Sequence, residues 1–283
     1  LWGLGIKVQV ANTSDEAWRW RKIKQKDDRR DALKIARLSA VNQVREVHIP
    51  RPEVRQWRAL ITYRQQLVRR RTKIKNHIRD LLLREGQLLA RGSKCWNQSG
   101  TALLRSLARP LSEIGPVELW RGELHEELQQ LELLQARLRT VEEKLNELGA
   151  TDARVQLLRT TPGVGPRLAE AIVALLDQPQ RFRKASQVSA YIGMVPKAFD
   201  SGESQRRGHI TRQGSRLVRS LLVEVAWAGL RHSAWVRQTY QRLHGGKQAR
   251  KKIAIVAVGR KLLVRCWAML RDHRSWDWQP QIT

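Results

Sequence analysis

Residues 197–216, "KAFDSGESQRRGHITRQGSR", join a small nucleophile to a bed of cations. Ser201-Gly202 lies between Asp200 and Glu203, and Arg206, Arg207, Arg212 and Arg216 follow. A serine hydroxyl attacks poorly until something activates it. No histidine adjoins this one, since His209 lies eight residues on. Guanidinium groups can lower the hydroxyl's proton affinity and neutralise charge on an attacked phosphate. Gly202 permits the tight turn that would expose Oγ. On chemistry alone two readings stand level: Ser201 attacks phosphorus, or Ser201 only hydrogen-bonds phosphate in a plain basic loop.

Two further stretches carry possible chemistry. In "KQKDDRRDALKIARL", residues 24–38, Asp28 and Asp31 stand three apart before a helical apolar pattern of Leu33, Ile35 and Leu38. That spacing projects both carboxylates from one face of a helix start. Hard carboxylate oxygens suit Mg²⁺, which can clamp phosphate oxygens in phosphoryl transfer. Spacing alone favours a plainer role, in which Asp27 and Asp28 cap the helix at its positive end. In "TTPGVGPRLAEAIVALL", residues 160–176, a Gly-Val-Gly turn precedes a periodic helix, the pattern of a helix-hairpin-helix. Gly163 and Gly165 would let backbone amides approach a phosphate, with Arg167 at the edge. An ordinary glycine-rich turn between helices is the alternative. The helix-hairpin-helix reading predicts backbone binding without sequence preference.

The elements that must position these residues read as helical. The chain has 283 residues, 54 Lys+Arg against 26 Asp+Glu, and a net charge of +28. A length of this order suggests two domains. So large a positive charge points to nucleic acid. A membrane surface fits less well, because no amphipathic helix of the required kind and no apolar run of spanning length stands out. A hydrophobic content of 41% allows a packed core rather than a disordered basic tail. Cys95 and Cys266 lie far apart, outside any zinc-ligand spacing. Sparse cysteine fits a reducing, cytoplasmic setting.

Charge divides the chain into blocks. Residues 51–94 hold thirteen Lys/Arg against three acids, residues 112–152 four against ten, and residues 153–271 twenty-three against five. Residues 54–89 read as one helix whose cations, Arg69, Arg70, Arg71 and Lys73 among them, would track phosphates rather than merely be solvated. In the acidic separator, Val117, Trp120, Leu124, Leu128, Leu131, Leu134, Leu138, Val141, Leu145 and Leu148 recur at steps of three or four. This is the seam of a coiled coil, paired within the chain or between copies, with Gly149 placed to stop it. Further on, a helix opens near Ser215 with Arg216 and Arg219 on its first turns. A Gly-Gly hinge then leads into Lys251, Lys252 and a last apolar helix. Trp227, Trp235 and Trp267 fall in helical patterns and read as core. Trp18 and Trp20 alternate with arginines, and they either stack on bases or anchor their loop. Residues 6–10 read as a buried strand.

The order of these motifs resembles the insertion-sequence 110 family of transposases, the 116/110/902 group, over nearly the whole chain. The most specific stretch runs from Thr161 to Leu222: "TPGVGP", then "AYIGMVPKAFDSGESQRRGHITRQGSRLVRSLL". The resemblance implies a DNA recombinase with a RuvC-like α/β domain, holding an Asp-Glu-Asp-Asp metal set, and an all-helical transposase domain with a nucleophilic serine. It matches Asp28 and Asp31 to the third and fourth acids and Ser201 to the nucleophile. Arg207, Gly208, Arg212 and Gly214 match the basic-glycine pattern behind the serine. The first Asp and the Glu would precede Leu1, so the chain reads as an N-terminally truncated copy with an incomplete Mg²⁺ site.

The implied fold is mainly α: a RuvC-like remnant over residues 1–92, a linker and coiled coil over 93–150, and a helical serine-transposase domain with its helix-hairpin-helix over 151–283. The implied partners are DNA, a bridge RNA, and further copies of the chain through the coiled coil. Catalytic candidates are Ser201, Asp28, Asp31, Arg207 and Arg212. Nucleic-acid contacts fall to Gly163, Gly165, Arg167, Arg206, Arg216, Arg219, Arg69, Arg70, Arg71, Lys73, Lys251 and Lys252. A non-catalytic nucleic-acid-binding protein is the rival reading.

Overall fold

A computed structural model describes residues 10–11, 27–44, 46–90, 92–201 and 204–276. Of 198–201 and 204–207 it describes the backbone. Among the described residues are ten α-helices and one two-stranded antiparallel sheet, so the chain is mainly α. It divides into two compact units, 1–52 and 53–283.

In the first unit, α1 spans Asp28–Ala40. Asp27 alone caps it, its Oδ1 accepting the Arg29 amide at 3.0 Å. Asp28 is therefore not the cap but a first-turn residue, like Asp31. An isolated antiparallel bridge joins Ala11 to Glu46. The strand expected at 6–10, Val10 apart, and Trp18 and Trp20 lie outside the described residues.

The second unit begins with a helical hairpin. Helix α2, Pro52–Arg84, pairs antiparallel with α4, Leu119–Thr151, and α3, Gln98–Leu107, packs beside them. Direction follows from two contacts, the ion pair of Arg64 with Glu142 at 2.5 Å and the hydrogen bond between His77 Nε2 and Glu123 Oε1 at 2.9 Å. The apolar seam of α4 is buried within the chain. Leu134, Leu138, Val141 and Leu145 share a core with Trp57, Ile61 and Leu67. Leu124, Leu128 and Leu131 share another with Ile78, Leu81 and Leu82. The seam starts later than its spacing predicts, because Val117 precedes α4 and is 89% exposed.

Two boundaries differ from expectation. Helix α2 ends at Arg84, not Leu89, because Gly86 takes φ +66° and the Gln87 amide turns back to the Leu82 carbonyl at 2.8 Å. Gly149 does not end α4. The helix runs to Thr151, where Asp152 turns extended and caps α5, Ala153–Arg159, its Oδ1 accepting the Arg154 amide at 2.8 Å. Gly149 is instead a contact residue: a Cβ there would stand 2.9 Å from Glu170 Oε1.

The remaining elements are α6, Pro166–Leu176; α7, Ala185–Tyr191; β1, Pro196–Ser201; β2, Ser204–Ile210; α8, Arg216–His232; α9, Ala234–His244; and α10, Lys251–Asp272. Helix α10 is the central strut, packed against α5, α7, α8 and α9 with ten buried residues. Trp267 is core, its indole N–H donating to the Pro179 carbonyl at 2.8 Å. Trp235 is half-buried. Trp227 is not core: it is 37% exposed, with Lys251 5.8 Å over its ring. Three arginines, Arg58, Arg154 and Arg181, donate to carbonyls of Ala174, Leu175, Leu176 and Asp177. They satisfy the orphan acceptors where α6 ends, so part of the positive charge serves the fold.

Candidate nucleic-acid interface

The stretch expected to be a loop in an all-helical domain forms a β-hairpin. Antiparallel β1 and β2 pair Ala198 with Arg207, Phe199 with Arg206, Asp200 with Gln205 and Ser201 with Ser204, after a bulge near Pro196. Ser201 therefore closes β1 at the hairpin tip, and Gly202 and Glu203 lie outside the described residues. Arg206 and Arg207 follow at successive positions on β2.

The hairpin rises from two backbone turns that touch. The Thr211 amide donates to the Val195 carbonyl at 2.8 Å, and the Arg212 amide to the Gly193 carbonyl at 3.0 Å. The approach is so close that a Cβ on Gly193 would stand 2.0 Å from the Gln213 carbonyl oxygen, and one on Gly214 would stand 2.1 Å from that of Tyr191. Both glycines hold positive φ, +72° and +78°.

Arg219, from the first turn of α8, clamps the junction. Its Nη1 donates to carbonyls of Ile192 and Gln213 at 2.8 Å each and of Gly214 at 3.2 Å. Arg212, held at φ +59°, and Arg216 are exposed beside it. The three guanidiniums line a cavity of about 670 Å³ with Met194, Ser220 and Glu224. Burial, and then the charges of Arg212 and Arg216, hold the Arg219 guanidinium below its usual pKa. Cations that disfavour one another in this way make a ready anion site.

Other predicted residues stand elsewhere. Gly163 takes φ +86° in the turn between α5 and α6, and Gly165 precedes the first turn of α6 with open space where a Cβ would be. Arg167 is committed within the chain. It donates to Glu170 Oε2 at 2.9 Å, to the Glu142 carbonyl at 3.3 Å and to Asn146 Oδ1. On α2, Arg69, Arg70 and Lys73 are exposed and Arg71 is half-buried. Lys251 and Lys252 are exposed on the first turn of α10. Asp28 is exposed and Asp31 half-buried in the first unit. Among the described residues no group of three or more His, Cys, Asp or Glu side chains is arranged to hold a metal ion. Asp28 and Asp31, hard oxygen donors three residues apart on α1, are of a type that suits a divalent cation.

Two family models match the chain. One, described as the transposase IS116/IS110/IS902 family, matches residues 155–241, and a second, described as a transposase, matches 1–85. A probable family 20 transposase of Pseudomonas aeruginosa is 31% identical over 87% of this chain and 72% of its own length. The chain belongs to the IS116/IS110/IS902 family of transposases. The transposase for insertion sequence element IS1111A of Coxiella burnetii is 29% identical over 97% of this chain and 74% of its own length. A pilin gene-inverting protein of Moraxella lacunata is 30% identical over 44% of the chain.

DNA is accordingly the substrate class of this transposase, and the second model, named for a DEDD transposase, implies dependence on a divalent metal. The hairpin, both glycine turns and the three arginines of the junction fall within 155–241, whereas Asp28, Asp31 and the α2 cations fall within 1–85. Arg219, expected as a nucleic-acid contact, clamps the junction instead, a role that its spacing does not encode. Gly193 belongs to the same junction, and its one sequence signal is an isolated glycine just after a helix. No helix among the described residues is long and apolar enough to cross a membrane.

Proposed function

We propose that the transposase cleaves and transfers DNA strands through Ser201. The observation that carries this reading is the arginine junction: Arg212, Arg216 and Arg219 gather around one cavity at the base of the hairpin whose first strand ends on Ser201. A backbone phosphate held at that junction would seat a DNA strand along the ribbon, leaving a phosphate further along the strand for Ser201 at the far end of β1, five residues or about 16 Å away. Ser201 Oγ attacks phosphorus, its proton passes to water, and one strand leaves as a free hydroxyl. The phosphodiester becomes a phosphoserine ester of equal bond count. Attack by a hydroxyl of another strand reverses the chemistry, restores the serine and joins the new pair without net hydrolysis. Arg207, on the strand that faces β1, supplies charge that offsets the crowded phosphorane oxygens, and Arg212, at the hairpin base, holds a flanking phosphate of the same strand. Asp28 and Asp31 would hold part of a divalent metal site, Mg²⁺ by donor type, which supplies Lewis-acid stabilisation when bound.

The α5–turn–α6 segment acts in the same scheme as a helix-hairpin-helix, its amides at Gly165 receiving backbone phosphate. Arg167 adds little there, since both of its terminal nitrogens already donate within the chain. A guide RNA fits the α2 face, where Arg69, Arg70 and Lys73 are exposed. Copies that associate must use residues other than the α4 seam, which α2 already covers; Leu133, 53% exposed on α4, is one such residue.

The test is nicking and binding measured together on labelled element-end DNA with Mg²⁺. The expected result, in a chain extended upstream so that it also carries the first Asp and the Glu, is strand cleavage that Ser201→Ala abolishes while binding stays within about twofold. Binding with a steep salt dependence and no cleavage by that extended chain would overturn the catalytic reading in favour of a binding protein.

A further inference from the structure

A second cavity, of about 740 Å³, opens between α7, α9 and α10 and shares no lining residue with the arginine junction. Its size lies in the range of ligand sites, about 300–1,000 Å³. Arg260, Lys261 and Arg265 face it from adjoining turns of α10, with Arg242 and Arg274 exposed at the rim. Among the described residues no carboxylate forms an ion pair with Arg242, Arg260, Lys261 or Arg274. The one acid in the lining, Asp272, is taken by Arg271 at 2.6 Å. The wall carries Trp235, half-buried. It meets Trp276 edge-on with centroids 5.4 Å apart, and the Arg265 guanidinium lies 4.2 Å over the Trp276 ring.

Arg242, Arg260, Lys261 and Arg274, unopposed around one concavity, focus a field that a polyanion relieves. An indole wall adds a surface on which a base can stack, at about 1–3 kcal/mol per base. In a duplex the base faces are covered by their neighbours, so the aromatic wall has nothing to stack there. We infer that this groove binds an unpaired polynucleotide strand, phosphates on Arg260 and Lys261 and a base against Trp235. The inference builds on the nucleic-acid reading above but needs no covalent step and no part of Ser201.

The test measures fluorescence anisotropy of the full chain with a labelled DNA strand, an RNA strand of the same sequence and the matching DNA duplex. Arg260→Ala/Lys261→Ala is expected to weaken strand binding by roughly tenfold or more. It should also flatten the logarithmic salt slope by about 1.4, two contacts at about 0.7 each for single strands. Duplex binding should stay within about twofold. Loss on the DNA strand, the RNA strand or both supports the groove and names its occupant. Equal loss on the duplex, or none on any strand, overturns it. A second arm uses the unaltered chain and photo-crosslinks strands carrying 5-bromouracil. Crosslinked peptides containing Trp235 or Trp276 support the groove, and crosslinks confined to other peptides overturn it. Ser201→Ala should leave both arms unchanged, which separates this inference from the catalytic reading.

Discussion

Arg219 Nη1 lies 2.8 Å from the carbonyl oxygen of Ile192, and this bond ties α8 to the turn that launches the hairpin. The same nitrogen reaches the turn that closes the hairpin, at Gln213. This side chain thus braces, together with the backbone bonds from Thr211 and Arg212, the junction from which the ribbon bearing Ser201 leaves the helical domain. Arg219→Ala should cost about 1.5–3 kcal/mol, as charged hydrogen bonds of this kind do. It should also reduce cleavage more than DNA binding. Arg219→Lys should restore charge but not the three-carbonyl geometry, and so rescue binding without rescuing cleavage. Equal recovery of both would show that only the charge matters.

Gly193→Ala should be among the most damaging small changes. Its Cβ would stand 2.0 Å from the Gln213 carbonyl oxygen at φ +72°, so strain and collision act together. A loss of about 2–4 kcal/mol follows, from typical backbone strain and overpacking costs. Urea unfolding measures it directly. Gly165→Ala, where nothing lies within 4 Å of the new carbon, is the control and should lie within about 1 kcal/mol.

Arg212 and Arg216 are exposed around the same cavity, with the chain's own carbonyls taken by Arg219. Arg212→Ala and Arg216→Ala should each weaken DNA binding and lower the salt slope by about 1. Thermal midpoints should hardly move. An unchanged slope in both would remove the cavity from the DNA contact surface.

Glu170 makes stability fall with rising pH. Its side chain is 1% exposed, and burial pushes its carboxyl up to about 7 against the opposing pull of Arg167, Arg64 and Arg159. The unfolded chain releases this proton near the ordinary value of 4.5, and the folded chain keeps it until about 7. Stability attributable to this group is therefore greatest below pH 4.5, and it is lost as pH rises through 7. The full change is on the order of 3 kcal/mol. Glu170→Gln keeps an acceptor for Arg167 and cannot ionise. It should flatten the melting profile between pH 5 and 8 and raise the midpoint at pH 8 by several degrees. A profile parallel to that of the unaltered chain would refute this assignment.

Much of the helical frame was legible because burial imprints a period. The steps from Leu124 to Leu145 marked the α4 seam, and all of those residues are buried. Its partner was less legible, because pairing with α2 depends on chain reversal rather than on pattern. Gly86 and Gly149 show why boundaries misled. Only the first ends a helix, while the second makes room for Glu170, a contact that local spacing does not encode. The hairpin stayed hidden because "SQRRGHI" lacks the apolar alternation of a half-buried strand. Charge was legible as a total but not as a division of labour. Arg58, Arg154, Arg167 and Arg181 hold the fold, and nothing in their spacing distinguishes them from Arg212 and Arg216.

The central claim is that Ser201 becomes covalently joined to DNA, and the most direct measurement is tandem mass spectrometry of the protein–DNA adduct after nuclease and protease digestion. The prediction is a nucleotide phosphate on the peptide containing Ser201, absent from the Ser201→Ala chain. A nucleotide carried on any other residue, or an adduct that persists in Ser201→Ala, would contradict it.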